Sequence, residues 1–210
     1  MWTILETINE RLDRPLKPVS RLLVLMAVVA IIPTFLTPLW TMTFYAQQYP
    51  EGLELYVYSY DLVGGNDGND LNEINILNHY IGMAELKPSD FTELKWVPLL
   101  TGLIGLLALR AATIGHLRSV VDVLLILVYF GGFSMWSFYH KLSYYGSNLD
   151  PRASVKVEPF MPPLFGYQKV GQFDVWSYPG FGTYCFTAVG LLLVAAIWFS
   201  WRQGREAAGN

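Results

Sequence analysis

Apolar residues gather into four long runs, at about residues 22–44, 96–114, 120–139 and 181–201, with polar segments between them. Each run approaches the roughly 20 residues an α-helix needs to cross about 30 Å of hydrocarbon. A helix satisfies its own backbone groups there, so the pattern predicts an all-α membrane protein built on a four-helix bundle. Pro33 and Pro38 fall in the first run and predict a kink, because each removes a helical hydrogen bond. That run is expected to be a retained anchor, since a mixed-charge segment (1–21) precedes it and no A-x-A site follows.

The polar intervals divide into a short turn at 115–119, a tail at 202–210 and two long loops at 45–95 and 140–180. In the first loop Leu53, Leu55 and Val57 alternate with Glu54, Tyr56 and Tyr58, which predicts a strand over 52–63. A Gly/Asn/Asp turn cluster follows at 64–70. Asp70 and Glu73 have capping-box spacing, predicting a helix over 71–81 with Ile74, Leu77 and Ile81 on one face. The Asn/Asp run does not fit an EF-hand: with Gly68 at the sixth position, the first and twelfth fall on Val63 and Ile74. The second loop holds the proline-stiffened segment Glu158 to Leu164 and a predicted strand over 172–177, expected to pair with the first-loop strand. Together the loops are expected to form one small mixed α/β cap.

Charge sets the expected orientation. Arg11, Arg14, Lys17, Arg21, Arg110, Arg118, Arg202 and Arg205 all lie on one side if both termini are cytoplasmic, leaving the loops extracytoplasmic. A bacterial inner membrane is the expected location. The first loop carries nine acidic residues against Lys87 and Lys95, so its formal charge is −7, which suits a basic protein partner and argues against nucleic acid. Membrane lipid is the other expected partner. Trp40, Trp96, Trp136 and Trp176 are expected at the outer membrane interface, with Trp198 and Trp201 at the inner one. Arg110 and Asp122 flank the tight hairpin, where snorkelling or mutual pairing is expected. Gly102, Gly105 and Ala108, and again Gly131 and Gly132, are expected to allow close helix approach. The single cysteine, Cys185, excludes an intramolecular disulfide and thiol oxidoreductase chemistry requiring cysteine pairs.

Candidate chemistry is sparse. If the helix runs on past residue 81, His79 and Met83 share a face at i,i+4 spacing. Imidazole and thioether suit Cu(I), and His140 and Met161 are the candidate ligands from the second loop. The competing reading is a hydrogen-bonded His79 and a packed Met83. No paired carboxylate in a span, Ser/His/Asp arrangement or phosphate-binding Gly loop points to an enzyme.

Tyr49 to Leu53, the run Glu73 to Met83, and Leu149-Asp150-Pro151 with Pro159 to Pro163 resemble bacterial four-span membrane proteins associated with copper-enzyme accessory genes, including those for nitrous-oxide reductase. The resemblance implies a non-catalytic accessory role in copper supply or in maturing an extracytoplasmic metalloenzyme. A small structural subunit of a respiratory or electron-transfer membrane complex is the alternative expectation.

Overall fold

In the computed structural model, which describes residues 2–170 and 173–206, the first apolar run divides at its prolines. A short helix α1 (Trp2–Leu12) precedes it. Helix α2 (Pro18–Ile31) leads into the single turn α3 (Pro33–Leu36), and the chain then becomes strand β1 (Trp40–Ala46). Residues 37–44 therefore lie outside the first span. Prolines end the helix, and the β-favouring alternation of Trp40, Met42 and Phe44 with Thr41, Thr43 and Tyr45 takes over.

Strands β2 (Tyr49–Val57) and β3 (Leu62–Gly64) and helix α4 (Asn69–Tyr80) follow. After them come α5 (Glu93–Ile114), α6 (Leu117–Ser147), β4 (Gly166–Val170), β5 (Phe173–Pro179) and α7 (Phe181–Glu206). Four helical stretches, Pro18–Leu36, Glu93–Ile114, Leu117–Ser147 and Phe181–Arg202, are long and apolar enough to cross a membrane, making this a multi-pass membrane protein. Helix α6 outruns its expected limits of 120–139 at both ends. Its C-terminal turns have Leu142 and Tyr145 to bury.

The chain forms two compact units, and α5, α6 and α7 each contribute residues to both. In the first unit (Met1–Pro33, Leu99–Gly132, Cys185–Asn210) each span buries one narrow seam. The seams are Ser20, Val24, Ala27 and Ile31 on α2; Ile104, Ala108 and Ala111 on α5; Val120, Val123, Leu127 and Phe130 on α6; and Val189, Leu193 and Ala196 on α7. Spacings of three and four put each set on one helical face, and the small residues bring backbones close. No span buries more than a third of its most apolar stretch, so most of its surface is left for lipid or protein. The hydroxyl of Ser20 donates to the Ala196 carbonyl at 2.9 Å and that of Ser200 donates to Ser20 at 2.8 Å, tying α2 to α7.

One end of this unit is pinned through backbone. Leu16 N–H donates to Gly115 O (2.5 Å) and Leu117 N–H to Arg14 O (3.1 Å), while Arg118 pairs with Asp13 at 3.0 Å. Gly115 has φ +74°, and a side chain there would collide with the Arg21 guanidinium. Of the two alternatives for Arg110 and Asp122, mutual pairing does not form: both are exposed and make no ion pair with each other, which leaves snorkelling. The small-residue expectation holds only in part: a Cβ at Gly102, Gly131 or Gly132 would meet nothing within 4 Å, whereas one at Gly105 would lie 3.7 Å from Ile31.

The second unit (Thr34–Pro98, Phe133–Tyr184) contains an antiparallel sheet in the order β3-β2-β1-β5-β4. Both long loops thus build one unit, as expected, but the strand pairing differs from expectation. The second-loop strand begins at Phe173 among the described residues, Gln172 lying outside them, and pairs with β1 rather than with the first-loop strand. In register, Thr43 lies opposite Glu54 on one side and Trp176 on the other.

One sheet face carries Trp40, Met42, Leu53, Leu55, Leu62 and Val175 into a core that also takes Ile74 and Leu77 from α4 and Leu142 and Tyr145 from α6. Trp40 is 4% exposed, so it is a core residue and not part of an interfacial belt. Its indole N–H donates to Ser177 Oγ at 2.8 Å, and its ring meets Phe138 and Phe165 edge-on. The expected capping box also gives way. Helix α4 has Gly68 as its N-cap with no side-chain cap; Asp70 instead accepts the Glu54 N–H at 2.9 Å, and Glu73 accepts the Tyr49 hydroxyl.

Candidate functional site

The candidate ligands gather around the end of α4 only in part. The helix stops at Tyr80, Gly82 takes φ +77°, and the Met83 N–H folds back to Asn78 O at 2.8 Å. This left-handed termination needs glycine and turns the chain before Met83, so His79 and Met83 do not share a helical face. The second loop closes on the same turn: Asp150 N–H donates to Gly82 O at 2.7 Å and Val155 N–H to Tyr80 O at 3.0 Å. A Cβ on Gly82 would lie 2.7 Å from the Asp150 carbonyl oxygen, so the close approach itself requires glycine. Asn75 braces the following chain by exchanging two hydrogen bonds with the backbone of Leu86.

Around this turn His79 is exposed, and its charge reaches two carboxylates, Glu85 and Asp150. Both carboxyls are held below their ordinary range. Lys87, 2.9 Å from Glu85, is the main cause at the first, and the Arg152 backbone N–H is the main cause at the second. His79 adds the last and smallest contribution at each. Met83 and Met161 are both half-buried against the core cluster. Their thioethers do there what flexible methionines do in packed interiors. His140 stands exposed on α6, its Nδ1 3.1 Å from the Trp136 carbonyl and its ring 4.3 Å from the Trp136 ring. The structure thus brings Met83 and Met161 to one apolar cluster and leaves the two imidazoles at the surface. Among the described residues no group of three or more His, Cys, Asp or Glu side chains has metal-binding geometry. Cys185 is half-buried on α7. Asn78 is 4% exposed with its Nδ2 unpaired.

A second constellation, which the hydropathy pattern concealed, occupies the outer face of the sheet. Residues alternating with the core set put Thr41, Thr43 and Tyr45 of β1, Glu54 and Tyr56 of β2, Asp174, Trp176 and Tyr178 of β5, and Tyr167 and Lys169 of β4 on one side. Thr41 and Thr43 are buried, forming the floor. Tyr45, Tyr167, Trp176 and Tyr178 are exposed, with Trp176 and Tyr167 5.2 Å apart between ring centres. The carboxylates orient the rings: Tyr167 Oη donates to Asp174 Oδ1 at 2.6 Å, and the Tyr56 hydroxyl donates to Glu54 Oε2. These bonds raise both phenol pKa values, that of Tyr56 to about 12. The signal for this face was present in residues 41–45, whose period of two was masked by their place at the end of an apolar run.

Compared with known proteins, the chain matches no family model and no curated protein.

Proposed function

We propose that the protein is a non-catalytic accessory protein of a bacterial inner membrane, which docks an extracytoplasmic metalloenzyme and assists its maturation. One observation carries the reading: both long loops fold into a single acidic unit, with twelve acidic against six basic residues and hence a net charge of −6, that offers an ordered surface. Cytoplasmic termini are part of this reading, supported by the basic residues of the N-terminal segment and the α5–α6 hairpin, which lie together at the pinned end of the first unit. Transient copper holding, the role implied by the resemblance, would use His79 and His140 at the surface, with Met83 and Met161 turning out of the core to supply sulfur.

The test is purification in mild detergent with measurement of bound metal and co-purifying proteins, followed by Cu(I) titration of the wild type and of a His79→Ala/Met83→Ala variant. Stoichiometric copper lost in the variant supports metal handling. A partner enzyme retained without copper supports docking alone, and neither copper nor partner refutes both roles. The alternative, a structural subunit of a respiratory membrane complex, is favoured by the broad exposed apolar surface of the spans. It predicts fixed stoichiometry with that complex and indifference to copper.

A further inference from the structure

We propose that the outer sheet face built from Glu54, Tyr56, Asp174, Trp176, Tyr178 and Tyr167 is a docking surface for a partner protein that presents arginine side chains. The proposal rests on the docking reading above and specifies its surface and the chemistry of its partner.

Three observations converge on arginine. Aromatic rings stand exposed on strands whose neighbouring residues are buried: Trp176 is 46% exposed, Tyr178 45% and Tyr167 50%, while Thr41 and Thr43 beneath are closed off. An apolar side chain of this size exposed once is ordinary; several on one antiparallel face make a platform. Secondly, the platform carries two groups that only accept, the carboxylates of Asp174 and Glu54. Asp174 uses Oδ1 and Glu54 uses Oε2 to hold a tyrosine hydroxyl, and the second oxygen of each carboxylate takes no hydrogen bond among the described residues. Thirdly, the unit that carries the face has a net charge of −6, with Lys169 the one basic side chain on the platform itself.

A guanidinium matches all three. It stacks flat on a Trp or Tyr ring and donates in plane to a carboxylate, whereas an ammonium is a strongly hydrated point charge that gains less from stacking. Asp174 lies two residues before Trp176 on the same face of β5, so a guanidinium over the indole has an acceptor about 7 Å along the strand. Glu54 lies two strands from Trp176 across the buried Thr43, at about 9–10 Å, which gives a second acceptor beyond the threonine floor. Tyrosine hydroxyls already bound to the carboxylates hold both acceptors in place before a partner arrives. The face is therefore preorganised, which reduces the ordering cost of association.

The test uses the full-length protein in nanodiscs and three peptides, acetylated (Gly-Arg)6, (Gly-Lys)6 and (Gly-Glu)6 amides. The arginine peptide is expected to bind, at least threefold more tightly than the lysine peptide, with affinity falling as salt rises. Trp176→Ala and Asp174→Asn should each weaken it at least tenfold and Trp176→Phe by less, while Glu85→Gln, in the same unit but off the face, changes it less than twofold. Unchanged thermal unfolding of the Trp176→Phe and Asp174→Asn proteins excludes misfolding as the cause. Equal binding of arginine and lysine peptides, or an effect of Glu85→Gln equal to that of Asp174→Asn, reduces the site to diffuse charge and overturns the proposal. So does absence of binding, or preferential binding of maltoheptaose or of anionic lipid vesicles to the face. A native partner that still co-purifies with the Trp176→Ala/Asp174→Asn protein overturns this face while docking stands; a wild-type protein that retains no partner overturns docking itself.

Discussion

Tyr56 shows how one side chain reports the built character of the sheet face. Its hydroxyl donates to Glu54, and with that carboxylate as acceptor, together with partial burial, the phenol is pushed up to about 12. A folded value above the ordinary 10 favours the protonated phenol in the folded state, so the stabilisation is complete below pH 10 and is lost as pH rises through about 12. In a difference titration of the wild type against Tyr56→Phe, the missing phenolate absorbance is expected only near pH 12. Glu54→Gln should bring that step down toward 10. A Tyr56 step already at 10 in the wild type would show that the bond does not form. The chain prepared for this pair in the alternation of Leu53, Leu55 and Val57 with Glu54 and Tyr56, which was legible. It did not announce that Tyr56 would look across Thr41 to Tyr178, because cross-strand neighbours far apart in sequence leave no local mark.

Among the elements, α4 carries the sharpest lesson about local spacing. His79 and Met83 are four residues apart, yet Gly82 at φ +77° ends the helix between them, and the second loop occupies the space where a Cβ would stand. Gly82→Ala is expected to cost about 1–2 kcal/mol, from left-handed backbone strain and displacement of Asp150. A lower Tm and faster proteolysis between residues 149 and 155 are the expected readouts, and an unchanged Tm would refute the clamp. Strand β1 teaches the complementary point. Residues 40–46 are apolar enough on average to prolong a span, and their strand periodicity decides their structure only because β2 and β5 supply hydrogen bonds on both sides. Helix α1, 11 residues long, is too short to register as a span, although its apolar residues recur at helical spacing.

For the whole molecule, orientation is the property on which the proposed function depends. In a Cys185→Ser background, Asp67→Cys and Asn148→Cys are expected to react with a membrane-impermeant maleimide from outside intact spheroplasts, and His116→Cys only after lysis. The reverse pattern would place the acidic unit in the cytoplasm and refute an extracytoplasmic role. The four spans, the basic end, the acidic first loop and the exclusion of an intramolecular disulfide all follow from the chain alone, because hydropathy over about 20 residues, charge and cysteine count are sums over contiguous or countable residues. The sheet order, the removal of Trp40 from any interface into a core and the assembly of the aromatic and acidic face were decided only by tertiary structure. Each depends on β1 pairing with a strand about 130 residues away, and no local sum over residues contains that pairing.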